Sequence, residues 1–484
     1  MFAGLNFRGT SVRWALWPIF LPLLFVLLAP YAMTWRFAGG RLYWPEGATE
    51  LLGRSLLMAG GTAALAVLLG LILVPGALRA QGVFTWALIL PAAVPALVPI
   101  LTWLDLFPGW RGLTAVIFVQ AIMNAGLVAV SLARGLESRW AGAVELAIAE
   151  GASPRMIWRR ALLSGLSGEL RQGFTFVLAV ALTSFSIPLV LGGRQAINFE
   201  MGIYQALQLE MNWSAALSLS LIQLLLLVFL VTLLRPRGED QMATRARLRE
   251  HLGSRWSLAL GLLPAAAMLG TLLARAGIGV AQFDPTLWRE LPRAILASGL
   301  VAFGTSVFVA LGLWLVARGL PDQRERQWLS AYTTPSAVLL GFATLALGEG
   351  HGFEMDLLRI IVGCSLMFAP ALWRWRIAPR LAELDRQVEV ARCLGARDSL
   401  IAARVVVPAI RNDLAWVAGL AAFWAWGDFA LSSVVAGRSQ SLALVARDLM
   451  QAYRLEAAAL CIVLCLLMGI VQAAITQNLL RRRE

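Results

Sequence analysis

The chain of 484 residues is 59% hydrophobic and 14% charged, with 41 basic against 28 acidic residues and a formal net charge of +13. Apolar stretches of about 20 residues recur along it, each long enough to cross a bilayer as a helix, so it is a polytopic membrane protein of all-α class. In a membrane protein the positive charge reads as basic residues held on cytoplasmic loops, which excludes a nucleic-acid partner and leaves the lipid bilayer as the first one.

In chain order, apolar runs predict spans near 14–35, 54–74, 83–104, 112–133, 172–192 and 213–234. The plan then repeats near 256–276, 294–316, 328–348, 357–375, 412–436 and 457–478, giving about 12 transmembrane helices, six and six. The third span carries Pro91, Pro95 and Pro99 and is expected to be kinked or broken. Arg8 and Arg13 before the first apolar run resemble a secretory leader. That run is too long and too rich in Trp for one, so an uncleaved first helix is expected. The basic stretch 236–255, with Pro236 and Gly238, reads as a cytoplasmic linker between a first unit, 1–235, and a second, 256–484. Placing both termini in the cytoplasm puts about 29 of the 41 arginines inside and about 12 outside, the asymmetry that the positive-inside rule expects.

Absences narrow the chemistry. Every basic residue is Arg, and the chain has no Lys. It therefore lacks the lysine of a P-loop and of a Schiff-base enzyme, and is expected not to be an enzyme. The four cysteines, Cys364, Cys393, Cys461 and Cys465, show no paired extracellular spacing. His251 and His351 fall in different loops, so neither a disulfide framework nor a metal site is expected.

Two stretches 244 residues apart are nearly the same: Val144-Glu145-Leu146-Ala147 with Gly151-Ala152, and Val388-Glu389-Val390-Ala391 with Gly395-Ala396. The register continues beyond them, with Ser184-Phe185 on Asp428-Phe429 and Gly193 on Gly437. One shared offset over about 50 residues indicates duplication of a whole module. Glu145 to Ala149 predicts a short helix broken at Gly151, and Ser153-Pro154 then opens a second helix bearing Ile157, Trp158, Ala161 and Leu162 beside Arg155, Arg159 and Arg160. The second copy runs from Glu389 to Leu394, breaks at Gly395 and restarts near Asp398. A compact helix-turn-helix of this kind under a membrane can enter a groove on a partner and transmit a push. The other reading is an amphipathic connector lying on the lipid surface.

The spacing of Glu, Ala, Gly and Ala in both loops resembles the coupling-loop signature of ABC-importer permeases, binding-protein-dependent inner-membrane components. The chain is similar to the fused type of the ferric-iron, thiamine and polyamine groups. The resemblance implies two tandem six-helix type I modules, with coupling loops at about 137–170 and 380–411. It implies two copies of a separate ATPase subunit that bind the ATP, a periplasmic substrate-binding protein, no cofactor in this chain, and a bacterial inner (cytoplasmic) membrane location. Carried over residue by residue, the ATPase-coupling positions are Glu145, Ala147, Gly151 and Ala152, with Glu389, Ala391, Gly395 and Ala396. Leu146 and Val390 stand where a second Ala is usual, and Ser164 replaces the Pro present as Pro408, so the first loop is expected to exit at a different angle.

Asp428 is an ionisable residue inside a predicted span, beside Trp424, Trp426 and Phe429; with Phe429, Ser184 and Phe185 it is a candidate for the path or gate. A secondary transporter driven by an ion gradient is the competing class, since such carriers also show internal duplication. Against it, carboxylates inside the membrane look nearly absent apart from Asp428.

Overall fold

Lipid offers the backbone no hydrogen-bond partner, so long apolar runs satisfy themselves by winding into helices. In the computed structural model of the protein, residues 28, 30–137, 141–153, 156–157, 166–193, 198–233, 252–281, 285–319, 325–326, 329, 336–345, 352–435 and 441–480 are described, and the regular elements among them are all helical. The first half of the chain forms α1 (Ala48–Arg79), α2 (Val83–Ala93), α3 (Leu97–Leu106), α4 (Leu113–Gly135), α5 (Ala141–Ala149), α6 (Ser167–Leu182), α7 (Ser186–Leu191), α8 (Phe199–Gln208) and α9 (Trp213–Leu233). The second half forms α10 (Arg255–Ala281), α11 (Pro285–Arg318), α12 (Ala337–Leu345), α13 (Phe353–Leu372), α14 (Ala378–Cys393), α15 (Asp398–Ile401), α16 (Val407–Gly427), α17 (Ala430–Val435), α18 (Leu442–Gln451) and α19 (Leu455–Leu480). A π-turn at Trp373–Ile377 joins α13 to α14, and another at Ala402–Val406 joins α15 to α16.

Among the described residues eight helices are long and apolar enough to cross a membrane, or nine if α2 and α3 form one broken span. Those two meet at 86°. The cause is Pro95: Val94 before it is extended, at φ −76° and ψ 153°, as a residue preceding proline prefers. Of the twelve spans read from the sequence, the one at 14–35 lies largely outside the described residues. The one at 172–192 is broken at Thr183–Phe185 into α6 and α7, and 328–348 is described only at 329 and from 336 to 345. The span read at 412–436 ends at Gly427 and resumes as α17 beyond Asp428. Two helices, α8 and α18, were not read from the sequence at all. Both are capped by a side chain, Asn198 Oδ1 accepting from Met201 N–H and Ser441 Oγ from Leu444 N–H.

The repeat survives into the backbone. Helices α7 and α17 correspond residue for residue at the offset of 244. The caps Asn198 and Ser441 are then 243 apart, and Met211 and Tyr453, non-glycine residues with φ of 50° and 57°, are 242 apart. Each of the two connections is thus one residue shorter in the second half.

Helix α10 ties the halves together, packing along α1, α2 and α3 on one side and α19 on the other. At its N-terminal end Ser257 Oγ donates to Ile72 O at 2.8 Å and accepts from Gly76 N–H at 3.0 Å, inserting into one rung of α1 beside Pro75. Toward its other end Arg275 donates to Asp105 of α3 and, at 2.6 Å, to Glu456 of α19. Arg275→Ala leaves two carboxylates facing each other across the seam. Because the three side chains are 33%, 15% and 25% exposed, the expected loss is about 1–2 kcal/mol, below that of a dry ion pair. Chemical denaturation in detergent measures it, and adding Asp105→Asn should recover part.

Candidate functional site

The two loops fold into the same turn. In the first, Gly151 N–H donates to Ile148 O at 3.0 Å and Ala152 N–H to Ala147 O at 2.9 Å. In the second, Gly395 N–H donates to Arg392 O at 2.9 Å and Ala396 N–H to Ala391 O at 3.1 Å. These paired bonds define a Schellman helix stop, which needs a left-handed residue, and both glycines have φ of +79°. The Gly in each motif is therefore demanded by the backbone, and neither has a neighbour within 4 Å of where a Cβ would stand.

Around each turn the side chains divide alike. Glu145 and Glu389 are exposed, as are Gly151 and Gly395, while Ala147, Ala152, Ala391 and Ala396 are half-buried. Val144 and Ile157 anchor the first turn from beneath, and Leu381 and Leu384 fix the helix leading to the second. Apolar side chains remain uncovered at the tip: Leu146 is 61% exposed, Val390 53% and Leu394 82%. The rest of the first loop's second helix, including Pro154, Arg155, Trp158 to Ala161 and Leu162, lies outside the described residues, as does Ser164.

The second turn sits at the end of one long helix. Residues Phe353–Cys393 run for 41 residues through the π-turn, about 60 Å at 1.5 Å per residue. A bilayer core takes up about 30 Å of that. The remaining length carries Arg380, Glu383, Asp385, Arg386, Glu389 and Arg392, charged side chains that favour water over hydrocarbon. Asp413 on α16 braces its base by accepting from Arg376 Nε at 2.6 Å, and Arg392 meets Asp398 at 3.0 Å across the turn. The helix before the second break is thus longer than the sequence suggested, while the restart at Asp398 falls where it was expected.

Ser184-Phe185 and Asp428-Phe429 occupy matching helix breaks, before α7 and α17. Asp428 is therefore a helix-end residue, and not one inside a continuous span as the hydropathy suggested. Its Oδ2 accepts from Leu431 N–H at 3.2 Å and from Cys364 Sγ at 3.8 Å, so its contacts are within its own half. Ser184 Oγ accepts from Gln120 Nε2 at 2.9 Å, and Ser184 O accepts from Asn198 Nδ2 at 2.6 Å. Phe185 and Phe429 are buried, at 3% and 1% exposure. Beside Asp428 the halves touch: Trp424 Nε1 donates to Ala93 O at 3.3 Å, and a Cβ on Gly427 would stand 2.1 Å from Pro95 Cγ.

Buried acids are more numerous than the sequence reading held. Glu169, Glu200, Asp356 and Asp413 are all 9% exposed or less. Glu169 and Asp413 are 244 residues apart and belong to the repeat, whereas Asp356 pairs with Arg359 at 3.2 Å. Glu200, fully buried, accepts from Gln223 Nε2 at 2.9 Å and from Ser336 Oγ of the other half at 2.7 Å. It was missed because 199–208 falls between the spans read at 172–192 and 213–234. The signal was there in the Asn198 cap followed by Phe199, Ile203, Ala206 and Leu207 at helical spacing.

The fold and its long apolar helices define a multi-pass α-helical membrane protein. It is homologous to transport permeases of the ABC class: it is 27% identical over 303 residues to the thiamine transport system permease protein ThiP of Brucella abortus (strain 2308), an alignment covering 54% of this chain and 53% of the relative. The ThiP of Brucella melitensis biotype 1 is 26% identical over 302 residues with the same coverage, and that of Brucella suis biovar 1 is 26% identical over 303. The chain spans about half the length of these curated relatives. No protein-family model and no solved structure matches it.

Proposed function

We propose that the chain is the permease subunit of an ATP-driven importer. In this reading twelve helices form two six-helix modules, 1–235 and 256–484, with one translocation path between them, joined by the cytoplasmic linker, with both termini in the cytoplasm of a bacterial inner membrane. Two copies of a separate ATPase grip the turns at Gly151 and Gly395, and a periplasmic binding protein delivers a small solute, thiamine being the first to try because the ThiP relatives carry that name. No cofactor belongs to this chain in the reading, and hydrolysis is the partner's work.

The observation that carries the proposal is the pair of turns: the same hydrogen bonds, the same φ and, at one matching position, an exposed apolar side chain, Leu146 and Val390, 244 residues apart. A two-fold motor needs two equivalent handles, and a small apolar surface in a charged surround suits a protein groove. In proteoliposomes holding the chain with an ATPase and a binding protein from its own organism, uptake should require ATP and stop with vanadate. Uptake that persists without ATP and collapses with a protonophore would instead favour the ion-driven carrier, for which buried Glu200 and half-buried Asp428 supply acids.

A further inference from the structure

Glu200 lies where two short helices, one from each half, bring their N-termini together. On its own helix it is the second residue after the Asn198 cap. Across the seam Ser336 donates its hydroxyl to Glu200 Oε2 at 2.7 Å while its Oγ accepts from Leu339 N–H at 3.1 Å, and Val338 N–H also donates to the carboxylate. Gln223, on α9 of the first half, supplies the remaining bond at 2.9 Å. A fully buried carboxylate in a membrane protein is costly unless its charge is answered. Here the answer comes from neutral donors and two helix N-termini, and among the described residues no arginine hydrogen-bonds to it.

The donors divide by half. Ser336 and Val338 sit at the start of α12, so they leave together when the halves part. Gln223 stays. Separation therefore strips Glu200 of its cross-seam partners and turns its charge into the opening gap. We propose that Glu200 selects for a cation in the translocation path: sequestered by α12 while the seam is closed, it pairs with a small organic cation when the seam is open. This rests on the reading of the seam between the halves as the path. The cation then favours the open arrangement, and α12 the closed one, which is the differential interaction that alternating access requires.

The test places a reporter opposite the acid. In the full chain with Ser336→Cys, modification at position 336 is followed by mass spectrometry with a cationic and an anionic methanethiosulfonate reagent. The ratio of rates is divided by that for a free thiol in solution, which cancels any general effect on thiol reactivity. A nearby carboxylate should favour the cationic reagent at least about tenfold, and Glu200→Gln should abolish the preference. A normalised ratio of one or less in the Glu200-bearing protein overturns the proposal, whether or not the Gln variant folds. So does a thiol at position 336 that neither reagent reaches, since the seam would not open there. Thiamine uptake is read separately. Wild-type protein that takes up none would remove thiamine as the cargo and leave the labelling result standing; if it does take up thiamine, Glu200→Gln should raise KM at least about tenfold.

Discussion

Gly151→Val and Gly395→Val introduced together should weaken docking of the partner ATPase about a hundredfold and release ATP hydrolysis from uptake. Both positions hold φ of +79°, where a side chain with a Cβ costs about 1–2 kcal/mol and a β-branched one more. Nothing lies within 4 Å of either Cβ position, so the penalty is purely one of backbone conformation. Valine relieves it by unwinding the stop, which breaks the bonds from Ala152 to Ala147 and from Ala396 to Ala391. About 1.4 kcal/mol per turn is tenfold in affinity, and two distant sites add. Asparagine tolerates the left-handed region, so Gly151→Asn with Gly395→Asn should dock nearly as wild type. Titration of ATPase activity with the chain in lipid nanodiscs measures both. Valine variants that dock normally would remove the turns from the mechanism.

The same two glycines show what a sequence discloses and what it withholds. A stop that requires a left-handed residue leaves a glycine and fixed neighbours in the text, so both turns could be read in one dimension. The break before α17 was hidden because Gly427 and Asp428 are too short an interruption to end the apolar run that continues at Phe429. Helices α8 and α18 were hidden for a related reason: at ten residues each they are too short to cross a bilayer and disappear when the search is for spans. Glu200 went with them. Its role is set by Ser336, 136 positions away, and no local pattern announces a bond of that range. The seam as a whole is beyond local reading, because Gly427 against Pro95 and Arg275 between Asp105 and Glu456 join residues far apart in the chain.

Gly76→Leu should destabilise that seam by about 3 kcal/mol or more. A Cβ at Gly76 would stand 2.4 Å from Leu258 N and 2.6 Å from Ser257 C, backbone atoms that cannot rotate aside. Helix α10 must then move off α1. Overpacking of this kind costs about 1–3 kcal/mol. The shift also breaks the Ser254 N–H to Pro75 O bond at 3.0 Å and both bonds of the Ser257 hydroxyl, each worth about 1 kcal/mol. Gly53→Leu on the same helix is the control: its Cβ would meet nothing within 4 Å, so the change should be near neutral or slightly favourable. Denaturation in detergent followed by tryptophan fluorescence compares the two. Because α10 is also seated at its far end, where a Cβ on Gly279 would come within 2.4 Å of Glu456 O, a lever pushed at Gly76 moves the contact with α19 as well. The Gly76 variant should therefore loosen one half from the other before either half unfolds, giving two transitions where the wild type gives one; a single transition at unchanged stability would mean that α10 does not hold the halves together.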